Sequence, residues 1–224
     1  MTAGPDLVIF DCDGVLVDSE RLATRVEARV LTALGWPIGQ DEVVARWMGR
    51  TSEVQLADIG ERLGADVAAR FDELTSAEVR AAFETELEAV AGIPALLDHL
   101  DAAGIATCIA SSGSHPRMEV TLGVTGLRQR FEGRIYSGTE VARGKPAPDL
   151  FLHAADRMGV DPDRCVVVED SVYGVQAGLA AGMVVYGFAG GLTGAEALAA
   201  AGAEVFDEMS VLTGLLPHSS SSIA

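Results

Sequence analysis

The chain has 224 residues, a formal net charge of −17 and a hydrophobic content of 49%. That is enough apolar mass for one large domain, or a domain with a sizeable insertion, without covalent staples. Nucleic acid and anionic membrane surfaces are bound through Lys and Arg, so the charge argues against both as partners. It leaves room for a small anionic substrate held by a few focused cations.

Cys12, Cys108 and Cys165 each sit in a strand-like apolar run without CxxC or CxxH spacing, which predicts buried, reduced thiols and no zinc site. No basic segment followed by an apolar run opens the chain, and no apolar stretch nears the ~20 residues of a membrane span. The expected location is the cytoplasm, as a monomer or weak homo-oligomer. The tail Pro217 to Ala224 is low in complexity and expected to fray.

In chain order, Leu7-Val8-Ile9-Phe10-Asp11 reads as a first strand running into Cys12-Asp13-Gly14. From Ser19 to about Val90 the pattern is helical: Leu22, Val26, Val30 and Ala33 share a stripe, and Gly35 supplies a stop. Two further helices are expected over residues 52–63 and 65–88. After Gly92 the character changes to helix alternating with short apolar strand. Pro94 opens a helix, followed by strands at Ile105 to Ala110, Ile135-Tyr136, Cys165 to Val168 and Met183 to Tyr186. Helices at 117–122, 148–158 and 174–181 separate them. This alternation predicts an α/β fold, a doubly wound parallel sheet of Rossmann-like type. The first strand must pair with the later ones, so residues 1–16 and 92–224 would form the α/β core and residues 17–91 an inserted helical cap.

Ligands in such sheets bind beyond the carboxyl ends of the strands. That rule gathers Asp11 and Asp13, Ser111 and Ser112, and Glu169, Asp170 and Ser171 at one crevice, with Lys145 pinned between Gly144 and Pro146. Asp11, Asp13, Glu169 and Asp170 form an oxygen-rich set suited to Mg²⁺, which takes few carboxylates and shares its shell with phosphate and water. Ser111 and neighbouring amides can bind phosphate oxygens, and Lys145 offsets charge as a point cation. An aspartate so neutralised can attack phosphorus and form an aspartyl-phosphate. Each feature also has a plainer explanation. Asp at a strand-to-turn junction often caps backbone, Ser111 and Ser112 can cap the next helix, and a loop lysine is usually solvated. Trp36 and Trp47 are expected in the core, and Arg46 in solvent. Arg50 and His115 stand in reserve as substrate contacts.

Asp11-x-Asp13-Gly14, Ser111 after a strand, Gly144-Lys145-Pro146-x-Pro148-Asp149 and Glu169-Asp170-Ser171 together resemble the four motifs of the haloacid dehalogenase superfamily, subfamily I. The resemblance spans nearly the whole chain and includes the helical cap after the first motif. It implies a nucleophile at Asp11 and a general acid/base at Asp13. It implies Mg²⁺ on Asp11, the Asp13 carbonyl and Asp170, with Glu169 direct or through water, and phosphoryl binding by Ser111 and Lys145. Phe10 to Glu20 and Phe83 to Val90 resemble more narrowly the β-phosphoglucomutase-like group, and within it 6-phosphogluconate and related sugar-phosphate phosphatases. Ala23 stands where mutases carry a cap histidine, and the arginine nearest Ser52 is Arg50, which favours hydrolysis over mutase action. The expected activity is hydrolysis of a small phosphorylated metabolite; a phosphomutase or a non-catalytic phosphometabolite-binding protein are the alternatives.

Overall fold

The computed structural model describes residues 4–48 and 52–216. Strand β1 (Leu7–Phe10) leads into four helices, α1 (Ser19–Ala33), α2 (Gln40–Trp47), α3 (Ser52–Leu63) and α4 (Ala65–Glu86). There follow α5 (Ile93–Ala102), β2 (Ala106–Ser111), α6 (His115–Val124), β3 (Ile135–Ser137), α7 (Asp149–Met158) and β4 (Cys165–Glu169). The chain continues through α8 (Val172–Ala180), β5 (Val184–Phe188), α9 (Ala195–Ala200), β6 (Glu204–Phe206) and α10 (Met209–Leu215).

The six strands form one parallel sheet in the order β3-β2-β1-β4-β5-β6. Successive side chains of β1 enter opposite faces. Leu7 and Ile9 pack with Val167, Val185, Leu150 and Phe151 under α7, α8 and α9. Val8 and Phe10 join Ile109, Val166 and Val168 beneath α5 and α10. Both faces are thus dry, which is why β1 and β4 are runs of apolar residues with no polar alternation. From β1 the chain steps out to β2 and β3, then crosses back to place β4 on the other side of β1. The order of winding reverses there, and a crevice opens at the carboxyl ends of β2, β1 and β4.

In the helical block, Trp36 and Trp47 meet edge-on with centroids 5.6 Å apart, Arg62 lies 4.2 Å over the Trp36 ring, and Trp47 Nε1 donates to Asp58 at 3.0 Å. Both tryptophans are core, as expected, whereas Arg46 lies over the Trp36 ring at 5.3 Å as well as pairing with Glu42. The segments entering and leaving the block pair with each other. Asp18 N donates to Glu88 O at 3.1 Å and Val90 N to Leu16 O at 3.0 Å, with an antiparallel bridge between Val17 and Ala89.

Periodicity did not predict α2, α9, β6 or α10. Each has eight residues or fewer, too few turns for a pattern to repeat, and burial of Val43, Leu198, Phe206 and Leu212 holds them instead. The segments reserved for Arg50 and for the tail from Pro217 lie outside the described residues. Among the described residues no helix is long and apolar enough to cross a membrane.

Cys12, Cys108 and Cys165 are free and buried, and burial is the main cause raising all three thiols, Cys165 to about 11. A thiolate is the reactive form. A disulfide reagent at pH 8 should therefore leave the native protein unlabelled over minutes and titrate three thiols in guanidinium; rapid labelling of native protein would contradict this packing.

Candidate active site

Four segments deliver their polar residues to the crevice. Asp11 follows β1 directly, its amide still in the ladder through Val168 O at 3.0 Å. Ser111 ends β2 and Glu169 ends β4, so parallel registration of these strands on β1 brings them level. Lys145 comes from the loop before α7. Its side chain is only 5% exposed, and Nζ donates to Asp11 Oδ1 at 2.5 Å and Glu169 Oε1 at 2.6 Å. It also lies 4.8 Å from the Phe151 ring centroid. Burial works against its charge, but Asp11 and Glu169 outweigh that and hold the ammonium protonated well above the usual lysine range.

Glu169 is engaged on both oxygens. Oε1 takes Lys145, while Oε2 accepts from Ser171 N at 2.7 Å and Ser171 Oγ at 2.9 Å. Ser171 also caps α8, accepting from Gly174 N at 3.0 Å. A Cβ on Gly174 would lie 1.8 Å from Glu169 Oε1, so only glycine lets α8 start over this carboxylate. Asp170, next along, is buried with Oδ2 lacking any hydrogen-bond partner. Gly14, at φ 81°, turns the backbone over it; a Cβ there would lie 2.0 Å from Asp170 Oδ2.

Asp13 points the other way along the crevice. Arg117, in the first turn of α6, donates Nε to Oδ2 at 3.2 Å and an Nη to Oδ1 at 3.1 Å, and Ser19 Oγ donates to Oδ1 as well. Ser111 Oγ accepts from Gly113 N at 3.1 Å, and Ser137 Oγ donates to Gly113 O at 2.7 Å, shaping the loop that enters α6. Ser112 is exposed in that loop. His115 is turned to Glu140 at 2.8 Å, which also holds His153 at 3.2 Å, so the structure keeps it out of the acidic cluster. Ala23 lines a cleft of about 630 Å³ between α1, α3, α4 and α6, together with Glu27, Thr75, Arg80 and Arg117.

The sequence-predicted residues Asp11, Lys145, Glu169 and Asp170 are therefore together, with Asp13 and Ser111 beside them. Three residues went unremarked in sequence as site groups: Ser19, Glu20 and Arg117. Ser19 and Glu20 lie inside the Phe10 to Glu20 stretch that carried the narrower resemblance. Arg117 had no local signal, because only the packing of α6 against the β1 turn makes it a neighbour of Asp13.

The acids outnumber the lysine, and their ionisation shows it. Burial pushes Asp11 up to about 7, partly offset by Lys145 and reinforced by Glu169. Burial also raises Glu20 to about 7, with repulsion from Asp13 and Asp11. Asp170 is raised by burial and then by Glu20, Glu169 and Asp11. Such a cluster fits a hard divalent cation. Its donors are carboxylate oxygens, one buried oxygen is unpartnered, and the glycine turn leaves room at that oxygen. Among the described residues no three acidic, His or Cys side chains form a ready cage; Mg²⁺ takes one or two carboxylates and keeps water and phosphate for the rest of its shell.

The chain matches the model of the haloacid dehalogenase-like hydrolases over residues 5–182. It belongs to that family. It is 34% identical over 184 residues to the 6-phosphogluconate phosphatase of Escherichia coli K12, covering 82% of each chain. Hexitol phosphatase A of the same organism is 38% identical over 176 residues, 78% of each chain. A HAD family hydrolase from Deinococcus radiodurans R1, solved with bound phosphate and sodium, aligns with a TM-score of 0.83 at 34% identity. That alignment covers 97% of this chain and 100% of the other. The narrower likeness to sugar-phosphate phosphatases is thereby borne out.

With the folded carboxyls of Asp11 and Glu20 at about 7, against ordinary values of 3.8 and 4.5, the native state binds extra protons between roughly pH 4 and 7. In chelator, stability should fall as pH rises through that window, seen as a lower Tm at pH 8 than at pH 5.5. Asp170→Asn should make that fall shallower, since it takes one acid out of the buried cluster. A flat profile would contradict the clustering of these acids.

Proposed function

We propose that the protein is a Mg²⁺-dependent phosphatase that hydrolyses the phosphate monoester of a small sugar, sugar acid or polyol through an aspartyl-phosphate on Asp11. The observation that carries this is the buried Asp11 carboxylate, tied through one oxygen to Lys145 beside an unpartnered Asp170 oxygen. A nucleophile of this kind needs its charge offset without being blocked, and one engaged oxygen leaves the other to attack. The family membership, and the phosphatases among its relatives, support the same reading.

In this reading Asp11, Asp170 and the Asp13 carbonyl hold Mg²⁺, and Glu169, with both oxygens engaged, contributes through the lysine it fixes. When bound, the ion neutralises phosphoryl oxygens and makes phosphorus electrophilic. Lys145 and Ser111, with amides at the α6 N-terminus, bind and orient the phosphoryl group. Asp11 forms the new O–P bond as the ester O–P bond breaks, and the protonated Asp13 carboxyl delivers its proton to the departing alkoxide. Asp13, now ionised, takes a proton from water as water attacks the acyl phosphate, which frees Asp11 and phosphate. Residues 17–91, inserted between β1 and the rest of the sheet, act as the cap that excludes water and contacts the organic part of the substrate. Ser112 contributes through the loop that carries Ser111. The cytoplasm is the expected site of action.

A screen of sugar, sugar-acid and polyol phosphates should show phosphate release that EDTA stops and Mg²⁺ restores. Asp11→Asn should remove it, a loss of about 10³-fold or more. Mg²⁺ should also raise the Tm of wild type and not of Asp170→Asn. Release from no ester, or undiminished release by Asp11→Asn, would refute the assignment.

A further inference from the structure

Glu140 lies outside the acidic cluster, yet it grips both sides of the loop that would meet a phosphoryl group. It closes the short turn Gly138–Glu140 after β3: Oε1 accepts from Ser137 N at 2.6 Å, while Ser137 Oγ accepts from Thr139 N at 3.2 Å. Its carboxylate then reaches two helices. Oε1 also accepts from His115, the first residue of α6, at 2.8 Å, and Oε2 accepts from His153 on α7 at 3.2 Å. His153 stands edge-on to the Tyr136 ring, with centroids 5.6 Å apart. Burial works against the Glu140 charge, but the Ser137 amide and the two imidazoles outweigh it and hold the carboxyl below the usual range.

The turn that Glu140 closes carries the loop between β2 and α6. Ser137 Oγ donates to Gly113 O at 2.7 Å, and a Cβ on Gly138 would lie 3.3 Å from Ser112 Cα, so turn and loop touch backbone to backbone. Within the loop Ser111 Oγ accepts from Gly113 N at 3.1 Å, which leaves its own proton for a phosphoryl oxygen. Ser114 caps no amide of α6 with its side chain, so the first amides of that helix stay available as well. Lys145 lies on the connection that Glu140 begins, and it is fixed from the other side by Asp11 and Glu169. The lysine is thus anchored to the sheet, whereas the loop is anchored to the turn and to the helix start that Glu140 holds. Where the loop stands relative to Lys145 depends on that carboxylate.

We propose that Glu140 is a positioning residue for phosphoryl binding: by holding His115 and the Gly138–Glu140 turn, it sets the 111–114 loop against Lys145 so that both meet one phosphoryl group. The inference rests on the phosphatase reading, and it gives this residue control over how tightly the ester and the product phosphate are held. Phosphoryl oxygens carry charge before and during transfer, so the loop binds them in both states. Asp11, Lys145 and Glu169 keep their mutual contacts without Glu140. Loss of Glu140 therefore weakens binding far more than it slows the chemical step.

The test follows hydrolysis of the best ester of the phosphate-release screen with Mg²⁺, and its inhibition by inorganic phosphate. Wild type, Glu140→Ala, Glu140→Gln, His115→Ala and the double variant of Glu140→Ala with His115→Ala are compared, each with its thermal transition. Glu140→Ala should raise KM and the Ki of phosphate together, about 10-fold, with kcat within about 3-fold of wild type. Glu140→Gln keeps the side-chain length and an acceptor for Ser137 N, and should recover part of the loss. His115→Ala should move both constants the same way by a smaller factor, and adding it to Glu140→Ala should cost little more, because the two residues share one contact. A role confined to closing the turn would lower Tm and leave KM and Ki in place. That result in a folded Glu140→Ala, a fall in kcat with Ki unmoved, or simple additivity with His115→Ala would overturn the inference. Where Glu140→Ala does not fold, Glu140→Gln and His115→Ala decide by the same constants. If no ester is cleaved, the phosphatase reading fails, and calorimetric titration of wild type and the folded variants with phosphate and Mg²⁺ decides instead. Weaker binding by the variants supports the inference; equal affinities, or no binding by wild type, overturn it.

Discussion

One buried lysine holds this structure's active end together. Among the described residues, Lys145 is the cation set between Asp11 and Glu169, in a crevice that also contains Asp170 and borders Asp13 and Glu20. A carboxylate taken from water without a partner would shift towards its neutral form at large cost. Here two of them share one ammonium, and their joint field is what keeps that ammonium charged at such depth. The arrangement is stable but incomplete. Burial above all, and then mutual repulsion that one positive charge does not offset, raises Asp11, Glu20 and Asp170. The residual negative charge is what a divalent cation would offset.

The rest of the fold serves that imbalance. The reversal in strand order lets β2, β1 and β4 end side by side, so that residues far apart in sequence, Asp11, Ser111 and Glu169, reach one place on rigid backbone. Gly14 and Gly174 give the backbone passage over Asp170 and Glu169 where any side chain would collide. Serines tune the edges: Ser171 locks Glu169 while capping α8, and Ser137 supports the loop after Ser111. Helix termini and strand ends do the positioning, and side chains then need few contacts of their own.

Across the crevice, the helical block is joined to the sheet by more than its two connecting segments. A single apolar cluster runs from Val8 and Phe10 to Trp36 and Trp47. Arg21 donates to the carbonyls of Gly190 at 2.6 Å and Gly191 at 3.3 Å. Arg117 bridges the seam in the other direction, between Asp13 and the Phe83 ring. The polar links lie at the rim, where they can exchange partners at modest cost, and the apolar ones lie beneath.

Much of this was legible in the sequence. Apolar runs bounded by turn residues located β1, β2, β4 and β5, because strands covered on both faces are mostly apolar until their carboxyl ends. The long helices α1, α3 and α4 were equally plain. The strand-end rule alone brought Asp11, Ser111 and Glu169 to a common edge. What the sequence could not carry was anything decided by three-dimensional neighbours. Short elements such as α2 and β6 exist because the core covers them. The two-bond grip of Arg117 on Asp13, the Glu20 carboxyl among the other acids and the orphaned oxygen of Asp170 depend on how α1 and α6 pack over the β1 turn. Chemical identity and local backbone preference are written residue by residue; partnership and desolvation arise only when distant segments close out water together.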